Sequence, residues 1–310
     1  MAKNILDLDF SRLAVGTVQF GLPYGVANRT GQPSFKQVCE ILACAVEHGA
    51  TTLETAAAYG ESESVLGRAL CEIGAQDRVT IVSKVRHLKT MAQEHTPENI
   101  ERWIRDSVVS SLERLGIDRL PVCLFHNTID VAHMEVLLAL KGEGLVQHVG
   151  VSVITPDQME MVLSTPGVEA IQVAMSLLDQ RIQRSGDLAR AADAGLAVFV
   201  RSIYLQGLLL MPQAEIDPVL HQVVPARQAL QGIAGDAGLT MSEMALRYGL
   251  SLPGVTSVLT GVETVEQMEA NAKIAARGPL PPEVVEAIEG VVPDLSDTII
   301  LTPWLWPGAM

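Results

Sequence analysis

TTLETAAAYGESESVLGRALCEIGAQDRVTIVSK, residues 51–84, holds two short apolar runs with a longer amphipathic stretch between them. The runs at 51–55 and 79–84 are rich in Thr, Val and Ile, which pack well on a pleated surface and predict strands. Residues 62–73 read as a helix, so the unit is strand, helix, strand. Outward from it the pattern repeats. Further strands are expected at 13–16, 120–126, 147–152, 169–173, 197–202 and 255–260. Helices are expected at 35–48, 97–115, 131–141, 156–163, 183–194 and 218–237, with an extra one at 241–250 before the last strand. Repeated βα units predict a parallel sheet buried on both faces, and eight strands favour a closed (β/α)8 TIM barrel of the α/β class over an open sheet. No linker or low-complexity run marks a second domain. Residues 1–310 are therefore read as a single domain, with an ordered loop at 17–34 and a C-terminal tail at 291–310.

With 310 residues, 48% of them hydrophobic, the chain can bury one large core. No segment approaches the ~18 consecutive apolar residues of a membrane span. Asp7 and Asp9 break the first apolar run too early for a secretory leader, so a cytoplasmic protein is expected. A formal net charge of −14 argues against nucleic acid and against an anionic membrane surface, since both attract clustered Lys and Arg. Cys39, Cys44, Cys71 and Cys123 form no C-x-x-C pair and read as reduced structural thiols. A metal-dependent barrel hydrolase would carry an H-x-H on an early strand, and the sequence has none, so no metal is expected.

Several apolar runs end in a polar or ionisable residue: Lys84, His126, Ser152 and the pair Arg201-Ser202. Glu54 lies in the second strand, with Tyr59 in the loop after it. In a barrel these carboxyl-terminal strand ends converge on the face that carries catalysis. Their chemistry is coherent. Hydride addition to a carbonyl leaves an alkoxide that needs a proton, and a tyrosine with a pKa near ~10 is a poor acid at neutral pH. The Lys84 ammonium is expected to lower that pKa, Glu54 to pair with Lys84, and His126 to donate to the substrate oxygen.

Glu54-Thr55-Ala56-x-x-Tyr59-Gly60-x-Ser62-Glu63-x-x-Leu66-Gly67 resembles the aldo-keto reductase signature, which normally begins with Asp. In order come Val82-Ser83-Lys84, Leu124-Phe125-His126, Gly150-Val151-Ser152, Ile171-Gln172-Val173, Ser202-x-x-x-x-Gly207-Leu208-Leu209 and Gly261-Val262-Glu263-Thr264-x-x-Gln267-x-x-x-Asn271. The resemblance spans nearly the whole chain. It implies a catalytic tetrad of Glu54, Tyr59, Lys84 and His126, and hydride exchange between NADP(H) or NAD(H) and a small-molecule carbonyl or alcohol. Gly16 and Thr17 would lie near the nicotinamide ribose, and Ser152 and Gln172 would hold the carboxamide. Arg201, Ser202 and Gly207 would follow the pyrophosphate and the open nicotinamide face. Gly261, Glu263, Gln267 and Asn271 would hold the adenosine end, where Thr264-x-x-Gln267 also reads as a capping box.

Three positions depart from the family pattern. Glu54 adds a methylene, Val153 stands where Asn is usual, and Arg201 replaces an aromatic residue, whose place a planar guanidinium can take by stacking. Glu263 suits the 2′-hydroxyl of NAD, while family habit places NADP(H) slightly ahead. The loop at 19–33, with Phe20 and Tyr24, and the tail with Trp304 and Trp306 are expected to wall the substrate pocket, although hydrophobic anchoring alone also accounts for the tail tryptophans. The same fold also admits a cofactor-recycling isomerase or lyase, and a non-catalytic nucleotide-bearing partner subunit of the kind that resembles potassium-channel β subunits.

Overall fold

The computed structural model describes residues 2–293 together with Thr302, Pro303 and Trp306. The chain opens with an antiparallel hairpin, β1 (Ala2–Ile5) and β2 (Leu8–Ser11), and then enters a ring of parallel strands. These are β3 (Leu13–Gly16), β4 (Thr52–Glu54), β5 (Thr80–Lys84), β6 (Leu120–Phe125), β7 (Val146–Val153), β8 (Ala170–Ala174), β9 (Ala197–Arg201) and β10 (Ser257–Gly261). Each pairs with the next, and β10 pairs with both β9 and β3, so the eight strands close into the expected (β/α)8 barrel.

Between the strands run the helices that cover the outer face. Pro97–Leu115 and Pro156–Leu163 start where a threonine hydroxyl, Thr96 or Thr155, accepts from an otherwise unpaired backbone N–H. Two of the expected helices are divided. The stretch at 183–194 forms Arg181–Arg184 and Asp187–Asp193, interrupted where Gly186 turns left-handed at φ +78°. The stretch at 218–237 begins as a tight turn, Pro218–Val223, and becomes α-helical at Val224–Asp236, where Pro225 is tolerated in the first turn. A further helix, Pro282–Val291, is not among the expected ones.

The hairpin is new relative to the sequence reading. Leu6 and Asp7 form its two-residue turn with φ of +56° and +55°, the mirror-type geometry that suits a twisted hairpin. Neither turn residue is Gly or Asn, so the usual sequence signal is missing. The hairpin plugs the amino-terminal end of the barrel. Phe10 is fully buried against Ala14, Val82, Val122, Leu124, Ala170, Ala197, Phe199 and Leu259, and meets the Phe199 ring edge-on at 5.2 Å. With the bottom sealed, the opposite end is the one open to ligands.

Truncating this plug by Phe10→Ala is expected to cost about 3–5 kcal/mol of stability, as for other buried phenylalanines. Urea unfolding checks this; a loss under about 1 kcal/mol would show that the plug is dispensable.

Candidate active site

Neighbouring strands deliver the tetrad. Glu54 ends β4, Lys84 ends β5, and His126 directly follows β6. Tyr59 sits in the turn after β4, and two glycines hold that turn in place. A Cβ on Gly21 would lie 1.9 Å from the Tyr59 carbonyl oxygen, and one on Gly60 would lie 2.5 Å from the Gly21 carbonyl oxygen. Only glycine permits backbones this close, and Gly60 is also left-handed at φ +56°.

A single carboxylate oxygen collects three donors. Lys84 Nζ donates to Glu54 Oε1, Gln172 Nε2 donates to it at 3.0 Å, and the Tyr59 hydroxyl faces it at 3.5 Å. Lys84 Nζ also donates to the Tyr59 hydroxyl at 3.0 Å and to the Thr55 carbonyl at 3.2 Å. Lys84 is 1% exposed and Glu54 5%, so the pair is dry. The methylene that Glu54 adds over Asp lets one oxygen meet a group from β8 as well as its neighbour on β5. The long Tyr59–Glu54 contact is weak, which leaves the phenolic proton available to a substrate.

The electrostatics correct the sequence expectation for Tyr59. Its phenol is held well above the ordinary tyrosine value, first by burial and then by the Glu54 carboxylate. Lys84 Nζ lies against the phenol oxygen but is paired with Glu54, and the net shift is upward. Burial lowers the Lys84 pKa, and the contact with Glu54 opposes that shift. His126 is pushed far below the ordinary imidazole range by burial, with Lys84 and His87 adding to it, so it is neutral. Its Nδ1 is buried without a partner, while Nε2 is not enclosed. The tautomer that fits is Nε2–H, a donor facing the mouth of the barrel.

Around this core the remaining sequence candidates divide. Ser152 and Gln172 stand side by side in the β7–β8 register, both buried, and Gln172 Oε1 has no partner. Val153 is fully buried in the core. Gly16 lies beside Glu54 and opposite Gly261 in the β3–β10 register. The Thr17 hydroxyl is engaged, donating to the Glu54 carbonyl at 2.9 Å and meeting Ser62 Oγ at 2.7 Å, so it fixes the strand end. Arg201 Nη1 donates to Ser202 Oγ at 3.1 Å, and its charge reaches Tyr24, Tyr59, Lys84 and His126. Ser202, Leu205 and Gln206 are left-handed, a cluster of costly conformations leading into Gly207.

At the far end Thr264 Oγ1 accepts from the Gln267 N–H, but the Gln267 side chain turns back to Glu263. The capping box is thus half formed. Asn271 is buried and accepts from the Tyr204 hydroxyl at 3.0 Å. Of the expected pocket walls, Tyr24 joins the site through Gln206, which donates to its hydroxyl at 3.0 Å. Phe20 does not join it: the ring is fully buried in the main hydrophobic core. Trp304 lies outside the described residues. Trp306 is buried in the core, and Pro303 shares a small cavity with Arg201, Ser202 and Leu205, so the tail touches the rim.

The sequence model of the aldo/keto reductase family matches residues 12–293. The chain belongs to that family. This family membership makes it an oxidoreductase. Similar proteins include the uncharacterized oxidoreductase YqkF of Bacillus subtilis (strain 168), 27% identical with 91% of this chain and 93% of that protein covered. NADH-specific methylglyoxal reductase of Escherichia coli (strain K12) is 25% identical over 86% of this chain and 90% of its own. In fold, the holo form of aldo-keto reductase AKR11C1 from Bacillus halodurans matches with a TM-score of 0.80 at 23% identity, covering 97% of this chain and 99% of that one.

Two residues at the mouth of this aldo/keto reductase escaped the sequence reading. His87 stacks on His126 with ring centroids 4.1 Å apart, and Asn127 bonds to His87 at 2.8 Å. Their signal was position: His87 falls three residues past the end of β5, and Asn127 two past the end of β6.

Shortening the carboxylate by Glu54→Asp is expected to release Gln172 and lower kcat about tenfold, roughly 1.4 kcal/mol in barrier. An unchanged kcat would make the longer arm incidental. The pH dependence follows from the signs above. The donating form of Tyr59 is lost only above its raised pKa, and neutral His126 does not protonate until far below its ordinary value. Carbonyl reduction by the holoenzyme is expected to be flat from about pH 6 to about pH 9. A decline centred near neutrality would show a titrating His126 or an acidified phenol.

Proposed function

We propose that the protein is an NAD(P)(H)-dependent oxidoreductase that interconverts an aldehyde or ketone and its alcohol, with Tyr59 as general acid/base. One observation carries this reading: a neutral buried phenol accepts from Lys84 at 3.0 Å beside an imidazole whose Nε2–H faces the same opening. The form of Tyr59 that dominates is the one that reduction needs. His126 polarises the substrate carbonyl, and Tyr59 passes its proton to the oxygen as the carbon is reduced. Lys84 then stabilises the phenolate left behind, at a cost in desolvation already met by its pairing with Glu54. The relative named for methylglyoxal reduction supports a small carbonyl substrate.

The residues present fit a nicotinamide cofactor. Among the described residues, Gln172 Oε1 on β8 and Gln19 Oε1 in the short helix Val18–Gly21 after β3 are buried acceptors without partners. A buried acceptor left bare is costly, and a carboxamide or ribose hydroxyl would satisfy it. When bound, the nicotinamide supplies the hydride. Ser152 and Gln172 would hold its carboxamide, Gly16 would leave room for the ribose, and Arg201 would stack on the open face. The Ser202–Gly207 loop would follow the pyrophosphate, and Gly261, Glu263, Gln267 and Asn271 would line the adenosine end. Lys273, the first cation after Gly261, is tied to Glu269 at 3.1 Å, and a Glu263 carboxylate at the adenosine end would repel a 2′-phosphate. This arrangement favours NAD(H) over NADP(H), as in the relative named for NADH.

Replacing the phenol by Tyr59→Phe is expected to lower kcat at least a hundredfold, within the range for a lost general acid, while nucleotide still quenches tryptophan fluorescence. Undiminished aldehyde reduction by this variant would end the proposal. In a side-by-side titration NADH is expected to bind at least about tenfold more tightly than NADPH, about 1.4 kcal/mol. A preference for NADPH would contradict the reading of Glu263.

A further inference from the structure

One imidazole is enough to polarise a carbonyl, yet His87 and His126 stack at the mouth with centroids 4.1 Å apart and planes tilted by 31°. Their parent strands β5 and β6 are neighbours, which is why the rings meet. Asn127 Nδ2 donates to His87 Nδ1 at 2.8 Å, so the His87 ring proton belongs on Nε2. Burial, reinforced by Lys89 and Lys84, holds the His87 pKa below its ordinary value, and the ring is neutral. His87 is half-buried, and its Nε2 is neither bonded to protein nor enclosed. Two neutral imidazoles, neither with a protein partner at Nε2 among the described residues, thus stack in van der Waals contact just past the ends of neighbouring strands.

We propose that His87 is a specificity-determining residue, whose Nε2–H binds a second oxygen on the carbon next to the reacting carbonyl. The pocket then selects 2-hydroxy- and 2-oxo-aldehydes over plain aldehydes. This inference rests on the carbonyl reductase reading above and deepens it. With His126 on the carbonyl oxygen, a donor one ring-stack away is in reach of an oxygen on the adjacent carbon. A plain aldehyde sets an apolar group against His87 and strips water from its N–H without replacing the bond. Sites built to hydrogen-bond a substrate hydroxyl reject analogues that lack it, and the ratio falls as the donor becomes more exposed. For a half-buried donor about tenfold to a hundredfold is expected.

The test compares kcat/KM for 2-hydroxypropanal and propanal, which share a carbon skeleton, in the holoenzyme with NADH and with NADPH. Wild type is expected to prefer 2-hydroxypropanal by at least about tenfold. His87→Phe keeps an aromatic ring stacked on His126 and removes the donor. It is expected to bring the ratio near unity while propanal kcat/KM changes less than about threefold. His87→Gln, which returns an N–H donor, is expected to recover part of the preference. A ratio left unchanged by His87→Phe, or a wild type without preference, would overturn the assignment. Propanal turnover separates the two readings: turnover without selectivity counts against His87 alone. Turnover of neither aldehyde counts against the reductase reading and the His87 role built on it.

Discussion

Lys84 and Glu54 are both removed from water at the mouth of the barrel, so each charge must satisfy the other. Leaving one of such a pair alone in a dry site costs about 3–5 kcal/mol, which makes the pair an all-or-nothing element. Its geometry fixes much else. Lys84 holds the Tyr59 hydroxyl, and Glu54 reaches across to Gln172 on β8, so one carboxylate links strands from different parts of the ring. Burial, reinforced by the same carboxylate, holds the phenol above its ordinary value, which orients the site towards giving a proton rather than taking one.

The barrel separates stability from chemistry along its axis. At one end Phe10 and the hairpin seal the interior with aromatic and aliphatic side chains. At the other, strand ends carry polar groups, two of them buried and unpaired among the described residues: His126 Nδ1 and Gln172 Oε1. Bare acceptors and left-handed residues such as Ser202 and Gln206 are liabilities in a core, and they cluster at this end of the barrel. Glu63 shows the contrasting, fully satisfied case. It accepts from Ser83, Ser111 and Arg114 and ties the helix Ser62–Glu72 to Pro97–Leu115 behind the site.

Much of this was legible in one dimension because barrel strands are short, apolar and periodic, so a polar residue that ends one is conspicuous. Lys84, His126 and Ser152 were found that way, and the stretch around Tyr59 named the family. What failed to read out depends on pairing in space. The hairpin escaped because Leu6 and Asp7 turn without glycine, and Phe20 looked like a pocket wall until its burial was known. The sign of the Tyr59 shift was misjudged because proximity of an ammonium was counted while burial of the phenol and the Glu54 carboxylate were not. The His87–His126 stack was invisible because 39 residues separate two side chains that adjacent strands bring together.

The central claim is that burial and the Glu54 carboxylate together hold the Tyr59 phenol above its ordinary value. Carbon-13 labelling of the four tyrosines reads it directly, with the Tyr59 resonance assigned by its loss in Tyr59→Phe. In the wild-type protein the Tyr59 phenol should remain neutral beyond about pH 10, the ordinary tyrosine value, and Glu54→Gln should bring its titration to lower pH. Titration at the same pH in both proteins would contradict the account.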